Sequence, residues 1–283
     1  MAGVDLPAVG YAAGAALIFA VANNLQRGAA AVVPVEAGGP VRLFLKLLRA
    51  PRWVAGSTLA LAALGLHAVA LARGGVILVQ AVLAAGLVLS LAIEAARERR
   101  WMRHGELLGS VVLVVGVIVL LGYGQPGGGK PVDTGVQLTA AIALAVVAAI
   151  GLSASRVRRR PNRSAVIMGA AAGACFALDA VFLKGVANWV DDLDALPVAT
   201  GLAGFVIASL LGNLIIQRAF QRAPLRLVLP TVTAGDPVAA FGAGRWMLRE
   251  HLQGGSDAHT AVILGLAAIA VGIITTTVAH PRG

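Results

Sequence analysis

Two carboxylates interrupt long apolar stretches of a 283-residue chain that is 58% hydrophobic and 13% charged: Asp179 and Asp236. An ionisable side chain at bilayer depth costs at least about 2.5–3.5 kcal/mol on insertion scales, so such groups usually face a cavity, a partner or a pathway. Asp236 is followed by Pro237, and Pro230, Thr231, Thr233 and Gly235 lie just before it. Proline removes a backbone donor and kinks or breaks a helix, so the tract is expected to hold a hinge or broken helix at Pro230, Gly235 and Pro237. Carbonyls freed there could coordinate a cation or accept a hydrogen bond from a substrate, with Asp236, Thr231 and Thr233 beside them. The competing role for Asp236 is to bond neighbouring backbone at the kink. Asp179 has fewer polar helpers and lies nearer one end of its apolar stretch. Both aspartates are candidate proton carriers.

Asn23, Asn24, His67, Gln80, Asn213 and Gln217 are uncharged candidates for the same substrate or ion pathway. A single membrane histidine more often hydrogen-bonds a neighbouring helix than carries protons, and interfacial water could satisfy Asn23 and Asn24. Thr275, Thr276 and Thr277 are expected to bond back to their own helix. The Gly10/Gly14 and Gly169/Gly173 pairs are expected to serve close helix packing. No enzyme constellation is expected: Gly127-Gly128-Gly129-Lys130 runs into Pro131 instead of the Ser or Thr of a phosphate loop, and no two histidines have metal-ligand spacing on one helix. No catalytic residue or cofactor is assigned, and no metal ligand set can be named.

The elements that must position these residues belong to a membrane bundle. An ordinary soluble domain carries roughly 25% charged residues, far more than this chain. Ala, Val, Leu and Gly dominate, and aromatics make up 5%; small side chains let membrane helices approach closely. Cys175 is the single cysteine, so no disulfide framework or thiolate metal site can form within one chain. The first ten residues carry no Lys or Arg, unlike the basic start of a signal peptide, and the first apolar stretch is expected to be a retained helix.

At roughly 20 apolar residues per crossing, the sequence predicts an all-α integral membrane protein. Nine transmembrane helices are expected near 7–26, 53–72, 74–96, 107–123, 135–154, 164–186, 197–217, 225–247 and 260–279. Basic residues mark cytoplasmic loops. With the N-terminus out and the C-terminus in, 18 of the 23 Lys and Arg fall inside. The outer side keeps Arg73, Lys130, Lys184, Arg245 and Arg249, with the acidic Asp133, Asp191, Asp192, Asp194 and Asp257. The +10 charge is therefore a topology signal, and no nucleic-acid partner is expected. The setting is the cell inner (plasma) membrane, multi-pass, with the lipid bilayer and a small-molecule or ion substrate as partners and a homodimer as an open option. Residues 40–52 place Arg42, Lys46 and Arg49 on one helical face and Leu43, Phe44, Leu47 and Leu48 largely on another, as an amphipathic helix on the inner leaflet would.

An internal repeat is also legible. Phe19-Ala20 followed by Arg27-Gly28 has the spacing of Phe176-Ala177 followed by Lys184-Gly185, and the two spans that carry them run in opposite senses. Val79-Gln80 falls in span three where Leu229-Pro230 falls in span eight, and Arg97-Glu98 precedes span four as Arg249-Glu250 precedes span nine. The chain is thus expected to hold two inverted repeats, four helices within 1–123 and five within 124–283, the fifth span having no counterpart in the first half.

Arg49, Pro51, Arg52, Trp53 and Gly56 at the entry to span two, Val79-Gln80, the tract from Leu225 to Gly244 and Arg249-Glu250 together resemble the drug/metabolite transporter superfamily. The likeness is to its NIPA-like branch and related actinobacterial members shortened to nine helices, and it extends over essentially the whole chain. It implies two inverted five-helix repeats, one of them lacking its leading helix, and a secondary transporter working by alternating access through a cavity between them. Gln80 stands where NIPA-type magnesium transporters place a proline after valine. Two alternatives stay open: a NIPA-like divalent cation (magnesium) transporter, since magnesium keeps several waters and needs few protein ligands, and a lipid-handling or scaffold membrane subunit without solute transport. The latter would carry a cavity open to lipid and lined by cations, for which Arg73 and Lys184 are the near-membrane candidates.

Overall fold

The computed structural model describes residues 6–34, 39–73, 76–123, 126–127, 132–157, 159–189, 195–249, 251–252 and 255–278. Its helices are α1 (Leu6–Ala31), α2 (Pro40–Leu47), α3 (Pro51–Arg73), α4 (Val76–Arg97), α5 (His104–Tyr123), α6 (Thr134–Ala154), α7 (Pro161–Trp189), α8 (Ala195–Arg222), α9 (Leu225–Trp246) and α10 (Gly255–Val278). A two-residue antiparallel pairing of β1 (Pro126–Gly127) with β2 (His251–Leu252) sets Pro126 opposite Leu252. Lys130, Arg158, Asp191, Asp192, Asp194, Glu250 and Arg282, used above for orientation or repeat, lie outside the described residues.

The long helices coincide with the expected apolar runs and mostly overshoot them at the ends. Hydropathy reports where hydrocarbon ends, whereas the backbone ladder continues into the interface until a proline or turn stops it. Among the described residues, seven stretches are long and apolar enough to cross a membrane: Leu6–Ala31, Pro51–Ala70, His104–Tyr123, Thr134–Ala154, Pro161–Val186, Ala195–Arg222 and Asp257–Thr277. The architecture is that of an all-helical, multi-pass membrane protein.

Two expectations need correction. The amphipathic segment expected over 40–52 forms a helix only over Pro40–Leu47, because a residue before proline is pushed out of the α region and Pro51 begins α3. Leu43 and Leu47 of α2 are buried, Phe44 meets Trp53 edge-on at 5.4 Å between ring centroids, and Leu48 is exposed. The helix packs on α8 as well as offering Arg42 and Lys46 outward. The second correction concerns α9, which is one unbroken helix through Pro230 and Pro237, so the expected break at Pro230, Gly235 and Pro237 is absent. Along this stretch α9 packs closely on α7. A Cβ on Gly235 would lie 2.8 Å from the Ala170 carbonyl oxygen, and one on Gly173 would lie 2.6 Å from that of Val232 and 2.8 Å from the Asp236 nitrogen. Only glycine lets the two backbones approach so closely.

Helix α1 packs on α3 and α4, α7 packs on α8 and α9, and α5 runs along α10; α6 leans on α7 and α8. Of the two glycine pairs expected at helix crossings, Gly169/Gly173 presses on α9, while Gly10 has open space beside it. Thr275, Thr276 and Thr277 do bond back, to the carbonyls of Val271, Gly272 and Ile273 at 2.7–2.8 Å.

Hydrogen bonds between distant segments gather the Arg-rich connections at one end of the bundle. Gln221 donates to the Val33 carbonyl at 2.7 Å, Arg222 to that of Val157 at 2.9 Å, and the Leu225 N–H to Glu94 at 2.7 Å. We call this the basic end. The opposite end holds the β1–β2 pairing, Asp133, which caps α6 by accepting from the Val136 N–H at 2.8 Å, and Arg73, whose guanidinium carbon lies 5.3 Å from the centre of the Tyr11 ring.

Candidate functional site

A cavity of about 330 Å³ lies between α4, α5 and α9. Leu83 and Ala84 come from α4, Val117 and Leu121 from α5, and Val232, Thr233, Asp236, Pro237 and Ala240 from α9. The α9 contributors recur at three- and four-residue intervals, so they form one helical face. Thr231 and Gly235 fall on the face turned to α7. Among the described residues Asp236 is the single ionisable group of the lining, and its side chain makes no hydrogen bond or ion pair with them. At 1.5 Å rise per residue it stands about 15 Å from either end of α9. On α4 and α5 the lining residues sit beyond the midpoint, away from the basic end, and on α9 they straddle it.

Asp179 occupies a different niche, the α7–α8 contact, where it accepts a hydrogen bond from Ser209 Oγ at 2.8 Å. Asn213 Nδ2 donates to the Ser209 carbonyl at 2.9 Å and so braces the same turn of α8. Gly173, which touches the Asp236 backbone, is six residues before Asp179. Asp179 therefore lies about 9 Å farther from the basic end than that contact.

The other expected pathway residues are dispersed. Thr233 faces the cavity beside Asp236. Thr231 is buried, donates to the Val228 carbonyl at 2.8 Å and presses on Gly169. Asn24 is buried in the α1–α4 contact, donating to the carbonyls of Ala20 at 3.0 Å and Ser90 at 2.9 Å; Asn23 beside it is half-buried. Gln217 is fully buried and donates to Gln26 Oε1 at 2.9 Å, linking α8 to α1, while its own Oε1 has no partner among the described residues. His67 lies on α3 with Nε2 buried and without a hydrogen-bond partner among the described residues. Gln80 is on α4, its side chain outside the described residues. Among the described residues no three His, Cys, Asp or Glu side chains come together as a metal site.

Sequence reasoning passed over the carboxylates of the basic end. Glu94 is buried and accepts from the backbone N–H groups of Leu225 at 2.7 Å and Arg226 at 3.2 Å. It thus caps the start of α9 from another helix, where orphan donors and the helix dipole favour an anion. Arg27 lies 3.7 Å from the same carboxylate. Glu106, also buried, accepts from Arg100 at 2.7 Å and from the Arg103 N–H at 3.1 Å, and lies 3.6 Å from Arg226. Glu98 joins Arg100 at 2.7 Å and Arg226 at 3.5 Å. Partial burial pushes the Glu98 carboxyl up, but the hydrogen bond from Arg100 and the charges of Arg100, Arg226 and Arg27 prevail and hold it below its ordinary value. Arg97 donates to the Asn24 carbonyl at 2.7 Å, and Gly28 leaves room for that guanidinium, since a Cβ there would lie 2.9 Å from it. The network closes the basic end by tying α1, α4, α5 and α9 together. One signal was available: a glutamate in the last apolar turn before Arg97.

Fold and site together define a multi-pass helical membrane protein with a carboxylate-bearing cavity among its helices. The chain is 30% identical over 258 residues to a protein of Corynebacterium glutamicum, itself described only as an uncharacterized protein, with 88% of this chain and 87% of the relative covered. The chain belongs to the family of that corynebacterial protein. No family model matches it, and no solved structure matches it significantly.

Proposed function

We propose that this protein is a secondary transporter of the cell inner membrane, with nine transmembrane helices in two inverted repeats, N-terminus out and C-terminus in, moving a small solute by alternating access. The observation that carries the reading is the pairing of Asp236, without a partner among the described residues, in a cavity between α4, α5 and α9 with a basic end held by ion pairs of Glu98, Arg100, Glu106 and Arg226. A carrier caught closed at one face and hollow toward the other has this arrangement.

The contact pattern supports the repeat. The packing of α1 on α3 and α4 has its counterpart in α7 on α8 and α9, α4 on α5 in α9 on α10, and the long α5–α10 contact pairs the last helix of each half. Arg99 and Arg249, each following the next-to-last helix of its repeat, both adopt φ 53°, a left-handed conformation that non-glycine residues seldom take. Under this reading α6 opens the second repeat alone, and the cavity lies at the seam, two walls from the first repeat and one from the second. Solute would enter from the face opposite the basic end, and release to the other side would require the Glu94 cap and the Glu106–Arg226 pair to part.

The test is a thermal-shift screen of detergent-purified protein against metal ions (magnesium included), amines, sugars, nucleotides and polyprenyl phosphates, followed by counterflow of any hit in proteoliposomes. A hit should stabilise the wild type but not Asp236→Asn, and its counterflow should fail in that variant. Hits that act equally on both proteins would overturn the assignment of Asp236 to the pathway.

A further inference from the structure

Leu83 on α4 and Thr233 on α9 both line the Asp236 cavity. They are as far apart in the sequence as Val79 and Leu229, and as Arg99 and Arg249, the two residues at φ 53°. They are therefore mates under the repeat, and the cavity straddles the axis that relates the two halves. Helices α5 and α10 cross about such an axis too. A Cβ on Gly109 would lie 2.9 Å from the Gly272 carbonyl oxygen and one on Gly272 would lie 2.7 Å from that of Gly109. Gly116 and Gly265 meet in the same reciprocal way, at 2.7 and 3.0 Å, so exchanging the halves turns one glycine pair into the other.

The rest of the lining breaks this symmetry. Asp236 and Ala240 are exposed and Pro237 is half-buried, whereas their mates on α4, Gly86, Leu87 and Ser90, are buried. Helix packing departs in the same sense. Helix α5 packs on α9 and α1 on α8, but the mate contacts, α10 on α4 and α7 on α3, have no comparable packing among the described residues. The contacts that are made lie at the basic end, where Arg226 meets Glu106 at 3.6 Å and Gln217 donates to Gln26 at 2.9 Å. A polar hollow of about 180 Å³ at that end is lined by Asn24, Arg27, Glu94, Arg97 and Glu98. Its floor is Ser90, one turn before Glu94 on α4, whose carbonyl accepts from Asn24 at 2.9 Å.

We infer that Gly86, Leu87 and Ser90 form the α4 face that solute meets on leaving toward the basic end, in a second state where α4 packs on α10 and α3 on α7 while α5 parts from α9 and α1 from α8. Each new contact in that state is one that the mate helices already make in this one, so the exchange asks for no packing foreign to the fold. The polar hollow above Ser90 becomes the mouth of the path. The two states differ in energy. Gly244, Leu248 and Val262 stand on α9 and α10 where the mates of Glu94, Glu98 and Glu106 fall, and none of them can accept the hydrogen bonds that lock the basic end. The arrangement closed at the basic end is therefore the resting one. The inference rests on the alternating-access reading and names the stretch of path that the resting state hides.

The experiment labels single cysteines, on a Cys175→Ala background, with a membrane-impermeant maleimide applied to either face of oriented vesicles. Arg159→Cys, exposed at the basic end, identifies the faces. Ala240→Cys should react from the face opposite the basic end, and Ser90→Cys scarcely from either. Adding Glu106→Gln weakens the lock by roughly one charge-assisted hydrogen bond; it should speed labelling of Ser90→Cys from the basic-end face about tenfold and slow that of Ala240→Cys. Glu94→Gln serves the same purpose where Glu106→Gln impairs folding. No gain at Ser90→Cys in either variant, or a gain without the loss at Ala240→Cys, as local loosening would give, would overturn the inference. The labelling needs no solute, so the two readings fail separately. Asp236-dependent counterflow with Ser90→Cys unreactive throughout would keep transport and remove this path, whereas exchanged labelling without counterflow of any solute would keep the exchange of faces and remove transport.

Discussion

Glu94 and Glu106 at the basic end and Asp236 halfway along α9 are all acidic groups set within or against apolar helices, but their surroundings differ in kind. The two glutamates are buried and spoken for: Glu94 receives two backbone N–H groups of α9, and Glu106 receives Arg100 and the Arg103 N–H. Asp236 fronts a cavity and receives nothing from the described residues. A buried carboxylate that accepts from donors on other segments is a fastener, because removing it strands those donors. A carboxylate left beside a void contributes little to holding the fold, and on the proposed transport reading the cost of keeping it there serves the pathway.

That contrast can be broken by measuring stability at each acid in turn. Glu106→Ala should have the largest effect, about 1–3 kcal/mol, since it strips Arg100, Arg226 and the Arg103 N–H of their buried acceptor; denaturant or thermal unfolding in detergent reads it, and Glu106→Gln should recover part of the loss. Glu94→Ala should cost about 1–2 kcal/mol, the range for losing a helix cap, with faster hydrogen exchange at the Leu225 and Arg226 amides. Unchanged protection there would mean that Glu94 does not fasten α9.

The Glu98 pairs should respond to acid more gently. The folded carboxyl titrates below its ordinary value of 4.5, so its contribution is fully present above that pH and disappears as pH falls through the lower folded value. A midpoint-versus-pH series should decline on the acid side, and Glu98→Gln should flatten that decline. The smallest effect is expected for Asp236→Asn, within about 0.5 kcal/mol of wild type, although the same variant should abolish the response to any transported ligand. A loss as large as that of Glu94→Ala would place Asp236 among the fasteners and erase the distinction.

Much of the helical framework could be read from residue order because hydrocarbon is an unforgiving solvent: apolar runs bounded by Pro, Gly and Arg produced α1 and α3–α10 close to their observed limits. The interest of Asp236 was legible for the same reason, a charge in an apolar run. Its neighbours were less so. Thr231 and Thr233 are two residues apart, yet one presses on Gly169 and the other faces the cavity, a division set by which face of α9 meets α7. The expected break in α9 was read from local proline chemistry alone, which says nothing of the close, glycine-lined contact that α9 makes with α7. Asn24, read as a pathway candidate, is occupied by the carbonyls of Ala20 and Ser90.

Sequence alone determined that this chain forms apolar helices suited to a bilayer, that its basic connections share an end, and that Asp236 is costly where it stands, since each follows from the affinity of a residue for water or hydrocarbon. Tertiary structure alone decided which acids are neutralised. Glu94 finds its donors 131 residues away on another helix, and no local pattern encodes a partner that arrives only when two helix ends meet.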